Sequence, residues 1–86
     1  LDRNEEALKS FERAAGREPT SPAVWNNLGE TLGRLGRWSD AVGCFDKALL
    51  FGADYAPAWF GKGRALMNLG RHAEAATACR RFLELA

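Results

Sequence analysis

Slid against itself by 34 positions, the chain lands on its own pattern. Trp25 falls on Trp59, Gly29 on Gly63, Leu32 on Leu66, Leu35 on Leu69, Gly36 on Gly70, Arg37 on Arg71 and Ala41 on Ala75. The opposite shift places Ala7, Phe11, Ala14 and Leu1 under Ala41, Phe45, Ala48 and Leu35. A fixed period of this length implies one supersecondary unit used repeatedly, each copy burying its apolar face against its neighbour. A closed single-core fold would not need such a period. With 86 residues there is room for between two and three units and for no second domain.

Each period carries helical apolar spacing twice, first Trp25, Leu28, Leu32 and Leu35, then Ala41, Phe45, Ala48 and Leu49, so a unit is a pair of helices. Breaks fall where the chain has to turn. Gly36 and Gly70 follow the last leucine of each first helix and suit a left-handed C-terminal residue. Ser21-Pro22 is a helix start, with a side-chain oxygen for the cap and a proline in the first turn. The equivalent helix begins within Asp54, Tyr55, Ala56 and Pro57. The glycines inside helical spacing need another explanation, since each costs about 1 kcal/mol against alanine. Gly29, Gly33, Gly36 and Gly43 fall within one such stretch, Ala23 to Phe45.

The order Trp25, Leu28, Gly29, Leu32, then Gly36-Arg37-Trp38, then Ala41, Phe45 and Ala48 resembles the tetratricopeptide repeat. The third unit matches at Trp59, Gly63, Leu66, Gly70, Arg71 and Ala75, and a partial first unit at Ala7, Phe11, Ala14 and Pro19, so the resemblance covers essentially the whole chain. It implies an all-α solenoid of antiparallel helix pairs wound as a right-handed superhelix. The five helices run B-A-B-A-B, where A and B are the first and second helices of a unit, giving about 2.5 units. The expected division is residues 1–21 for the B helix of a partial repeat, 22–55 for a full repeat and 56–86 for a nearly full one. The resemblance also places Gly29 and Gly63 where paired helices come closest, opposite Ala41 and Ala75. Gly33 and Gly43 are left without a role in that packing. The chain opens on Leu1 rather than Met and on a B helix, so it is expected to be a fragment of a longer protein.

Three positions depart from the pattern. Lys62 stands where the preceding unit has Leu28, and is expected to lay its stem along the core with the ammonium at the edge. Cys79 and Phe82 invert the size order of Phe45 and Ala48, as a volume-conserving exchange would. His72 replaces Trp38 and reads as a turn or surface residue.

Chemistry is sparsely supplied. Cys44 and Cys79 are too far apart for a paired zinc motif, His72 has no second ligand at helical spacing, and Gly61-Lys62-Gly63 lies inside a helical period rather than in a phosphate loop. No catalytic triad can be placed on one face, so neither enzyme activity, metal nor cofactor is expected. Twelve basic and eleven acidic side chains are spread along the whole length, for a net charge of +1, which argues against a nucleic-acid partner. No apolar run reaches the roughly 18 residues of a spanning helix, and no membrane association is expected. The compartment is not fixed by these residues, with a cytoplasmic one slightly favoured.

In the resembled family the concave groove, lined by A helices, receives a peptide or a partner's helix. Carried onto this sequence, the groove residues are Ala23, Asn26, Asn27, Glu30, Gly33 and Arg34 from one unit, and Pro57, Phe60, Gly61, Arg64, Met67 and Asn68 from the next, with Tyr55 at the rim. Asn27 can pair with a ligand backbone amide, Arg34 and Arg64 can clamp a carboxylate, and Phe60 with Met67 forms an adaptable apolar patch. Gly33 and Gly61 are expected to leave room for a ligand chain. Repeats that clamp the acidic tails of cytosolic chaperones need Lys and Arg where Pro57 and Gly61 stand here, so chaperone-tail binding is not expected. The leading expectation is a scaffold that binds a protein or peptide partner. The alternatives are self-association into a homo-oligomer through the exposed repeat ends, and a substrate-selecting region of a larger enzyme.

Overall fold

The computed structural model describes residues 3–86; the match of Leu1 to Leu35 lies outside the described residues. Five α-helices follow one another: α1 Arg3–Arg17, α2 Pro22–Arg34, α3 Trp38–Phe51, α4 Ala56–Asn68 and α5 His72–Leu85. Each of α2 to α5 packs on the helix before it, and α2 also touches α4, which sets two A helices side by side along one face. The result is an all-α solenoid of helix pairs measuring 35 × 25 × 17 Å. No helix among the described residues is long and apolar enough to cross a membrane.

The boundaries follow from local chemistry. The Ser21 hydroxyl accepts from the Val24 N–H at 3.4 Å, and Pro22 occupies the first turn of α2. At the other end Gly36 takes φ +77°, while the Arg37 N–H bonds the Leu32 carbonyl at 2.9 Å and the Gly36 N–H bonds Gly33 at 3.0 Å. That pair of bonds satisfies carbonyls the helix would otherwise leave open. Gly70, with φ +76°, repeats the arrangement through Arg71 to Leu66 and Gly70 to Met67. No side chain caps α3 or α5. Instead Arg37 reaches Asp40 at 3.0 Å and Arg71 reaches Glu74 at 2.6 Å, which places a carboxylate in the positive first turn of each helix. Tyr55 precedes α4 without a side-chain cap, so Asp54 stays outside the helix.

Two further contacts recur with the period. The Trp25 indole N–H donates to the Pro19 carbonyl at 2.7 Å and the Trp59 indole to Ala53 at 2.8 Å, tying each A helix to the loop that leads into it. Over the same two rings lie the cations of the following B helices, Lys47 at 4.8 Å and Arg81 at 5.6 Å. The core runs the length of the stack through Leu8, Leu28, Leu32, Phe45, Leu49 and Leu66, with Ala41, Ala48, Ala58 and Ala65 fully buried where helices cross. Lys62 behaves as its stem length suggests, with the ammonium 2.7 Å from Asp46 and 5.7 Å from the Trp59 ring centre.

At the crossings Gly29 serves a side chain other than the one expected, while Gly63 meets Ala75 as expected but lies closer to Cys79. Gly29 faces Phe45 rather than Ala41: a methyl group there would sit 2.8 Å from the ring. Gly63 faces Cys79, one period on from Phe45, with its added carbon 2.8 Å from Sγ and the Ala75 carbonyl at 3.6 Å. Gly33, left without a role in the packing, lies beneath the Trp38 ring. Gly43 is exposed to open space, and nothing in the structure explains it.

Candidate functional site

The side-by-side placement of α2 and α4 leaves a cleft of about 180 Å³, lined by Glu30 and Arg34 from α2, Pro57, Phe60 and Arg64 from α4, and Trp38 and Phe45 from α3, with Gly29 and Gly61 in its base. Helical spacing builds the two walls. Glu30 and Arg34 are four apart on one helix, Phe60 and Arg64 four apart on the other, so each pair stands on a single face.

The floor is made by Phe45. Its ring is only 2% exposed and is wedged between Gly29 of α2 and Gly61 of α4, which lack the β-carbons that would collide with it. This is why glycine is used at both positions, and it corrects the expectation that Gly33 and Gly61 leave room for a ligand. Trp38 takes the space over Gly33 and Phe45 the space over Gly61. The cleft above stays open because the aromatic edge fills the base without rising between the walls.

The walls carry charge. Arg34 lies 3.8 Å from Glu30, a loose pair, while the Glu30 carboxylate also accepts from Asn26 Nδ2 at 2.9 Å. Arg64 pairs with no carboxylate among the described residues, and its guanidinium stands 6.0 Å from the Trp38 ring centre. Phe60 is 48% exposed and stacks at 5.2 Å, tilted by 51°, on Phe82 of α5.

Of the groove residues expected from the sequence, Glu30, Arg34, Pro57, Phe60, Gly61 and Arg64 come together here. Asn26 does not face a groove: it is 4% exposed, held to Glu30, with its Oδ1 buried and unpaired among the described residues. Asn27, Met67 and Asn68 are exposed but do not line the cleft, and Tyr55 is half-buried against the core. Asn68 is engaged with the Arg64 carbonyl at 2.9 Å, and Met67 Sδ lies 3.5 Å from His72 Nδ1. Sequence reasoning missed Trp38 and Phe45 as cleft residues, because both were read only as parts of the repeat pattern. Their position one helix behind the A helices, opposite glycines, was the available signal.

The two thiols are free. Burial, helped by the Asp40 carboxylate, pushes the Cys44 thiol from its ordinary 9.0 up to about 11, so it stays protonated at neutral pH. No cluster of three or more metal-ligating side chains occurs among the described residues.

Comparison with known proteins agrees with this architecture. Protein FlbA of Caulobacter vibrioides is 29% identical over 79 residues, which cover 92% of this chain and 13% of FlbA. The chain therefore spans only a small part of that relative's length. Among solved structures, the first TPR of Spaghetti (RPAP3), bound to the HSP90 peptide SRMEEVD, superposes with a TM-score of 0.95 at 24% identity, covering 96% of this chain and 66% of that one. MamA AMB-1 superposes with a TM-score of 0.91 at 25% identity, covering 98% and 49%. The sequence pattern of the tetratricopeptide repeat matches residues 1–57 and again 30–86. Given that match along the whole chain, and the paired helices that follow it, the chain belongs to the tetratricopeptide-repeat family.

Proposed function

We propose that the cleft between α2 and α4 is where this scaffold binds its partner, as an extended peptide segment of another protein. One observation carries the reading: two helix faces meet over an aromatic floor, and glycines at the base let Phe45 fill it without closing the opening. Concave, partly apolar sites with a few convergent polar groups are the usual form of a ligand site. The likeness to RPAP3, whose TPR is bound to an HSP90 peptide, is in keeping with peptide binding. Asn27, Met67 and Asn68, exposed on the same two helices, extend the contact surface beyond the cleft.

The test uses peptides selected from a random library on the full chain. Replacing Phe60 and Arg64 together by Ala should weaken their binding roughly tenfold or more, as loss of two central contacts does. Helicity should hold, with the melting temperature falling only by what the lost Phe60–Phe82 contact accounts for. Undiminished binding would remove the cleft as the site.

Self-association is a second reading, favoured by one comparison inside the molecule. Leu49 on α3 is 9% exposed, while Leu83, its counterpart one period later on α5, is 70% exposed. A molecular mass that rises with concentration in sedimentation equilibrium, and stays monomeric in Leu83→Glu, would support it.

A further inference from the structure

We propose that the cleft is selective for a peptide segment in which an acidic side chain stands next to an apolar one, the carboxylate held by Arg64 and Arg34 and the apolar group laid on Trp38, Phe45 and Phe60. This rests on the cleft being the docking site.

Charge placement carries the argument. Arg64, like Lys9, Arg13, Arg17, Lys47 and Arg80, has no carboxylate within 4 Å among the described residues, but of these it is the one that lines the cleft. It is held beside Trp38 instead, and a contact with a ring face uses none of the guanidinium's five N–H donors. The fork is thus positioned, flanked by aromatic surface and unspent, a state suited to bidentate pairing with a carboxylate. Across the cleft Arg34 is held only loosely by Glu30, which leaves the walls with one positive charge in excess. A cationic ligand is disfavoured by that excess.

The apolar half follows from size. A cavity of roughly 150 Å³ accepts a benzene ring, so about 180 Å³ over Phe45, Phe60 and Trp38 accommodates one leucine or phenylalanine side chain. The carboxylate belongs to a side chain rather than to a chain end. Capture of a terminus generally draws on free backbone N–H groups, and those of α2 and α4 at this height are spent within the helices.

The probes are the doubly blocked peptide acetyl-Gly-Ser-Leu-Glu-Gly-Ser-amide, its Leu-Gln twin, and acetyl-Gly-Ser-Leu-Gln with a free C-terminal carboxylate. Each is titrated into the isotope-labelled full chain while the Trp38 indole and Arg64 side-chain signals are followed. The blocked Leu-Glu peptide should bind roughly tenfold tighter than its twin, the difference expected when a charge-assisted pair replaces a neutral one. Arg64→Gln should abolish that preference, so that the blocked Leu-Glu and Leu-Gln peptides bind with equal affinity. Glu30→Gln, which keeps an acceptor for Asn26, should tighten the Leu-Glu peptide by removing a like charge and freeing Arg34. Equal affinities with both cleft signals moving would overturn the acidic preference and leave the docking site standing. Binding of the free-carboxylate peptide alone would overturn the assignment to a side chain, and cleft signals unmoved by every peptide would overturn both.

Discussion

Single glycines decide how this surface is shaped. Phe45 is pressed by helices on two sides, and the ring cannot swing away from one without meeting the other. A methyl group at Gly61 would collide with it, so Gly61→Ala should lower stability by about 1–3 kcal/mol, overpacking outweighing the gain of about 1 kcal/mol in helix propensity. Gly43 provides the control. It sits in α3 with open space around it, so Gly43→Ala should raise stability by about 0.8–1 kcal/mol. Urea unfolding of the two variants checks both signs together. From the sequence neither glycine could be assigned a packing partner, since each merely interrupts a helical pattern. What separates them is the identity of the opposing residue, a fact of tertiary packing that spacing within one helix does not contain. The same holds for Asn26, which shares an exposed-looking stretch with Asn27 yet turns inward to Glu30.

At the level of helices the sequence was far more informative, because the signals that start and stop them are local. Ser21-Pro22, the glycines after Leu35 and Leu69, and the apolar spacing between them mark all five helices and their order. The link from Trp25 and Trp59 to the preceding loop was not legible, since an indole N–H shows no partner until folding brings the loop carbonyl within reach. The two left-handed glycines are the hinges of the pairs. Gly70→Ala should cost about 1–2 kcal/mol, the penalty for a β-carbon in the left-handed region, and the loss should appear as lowered amide protection in α5 before α2. Uniform loss of protection along the stack would instead mean that the repeats unfold as one unit.

Over the whole molecule, the internal period turns a short pattern into a surface. The A helices α2 and α4 stand together because α3 spans between them, and the cleft exists only where two consecutive units are stacked. Family and architecture could therefore be read from the repeat, as could Glu30, Arg34, Phe60 and Arg64. The cleft itself could not, because its floor comes from a B helix and its depth from missing side chains. The claim that matters most is that a partner peptide lies between α2 and α4. Intermolecular nuclear Overhauser contacts from a library-selected peptide to the labelled chain test it most directly. Contacts to Trp38, Phe60 and the backbone of Gly61 are predicted; contacts gathered instead on Phe82 and Leu83 of α5 would contradict it.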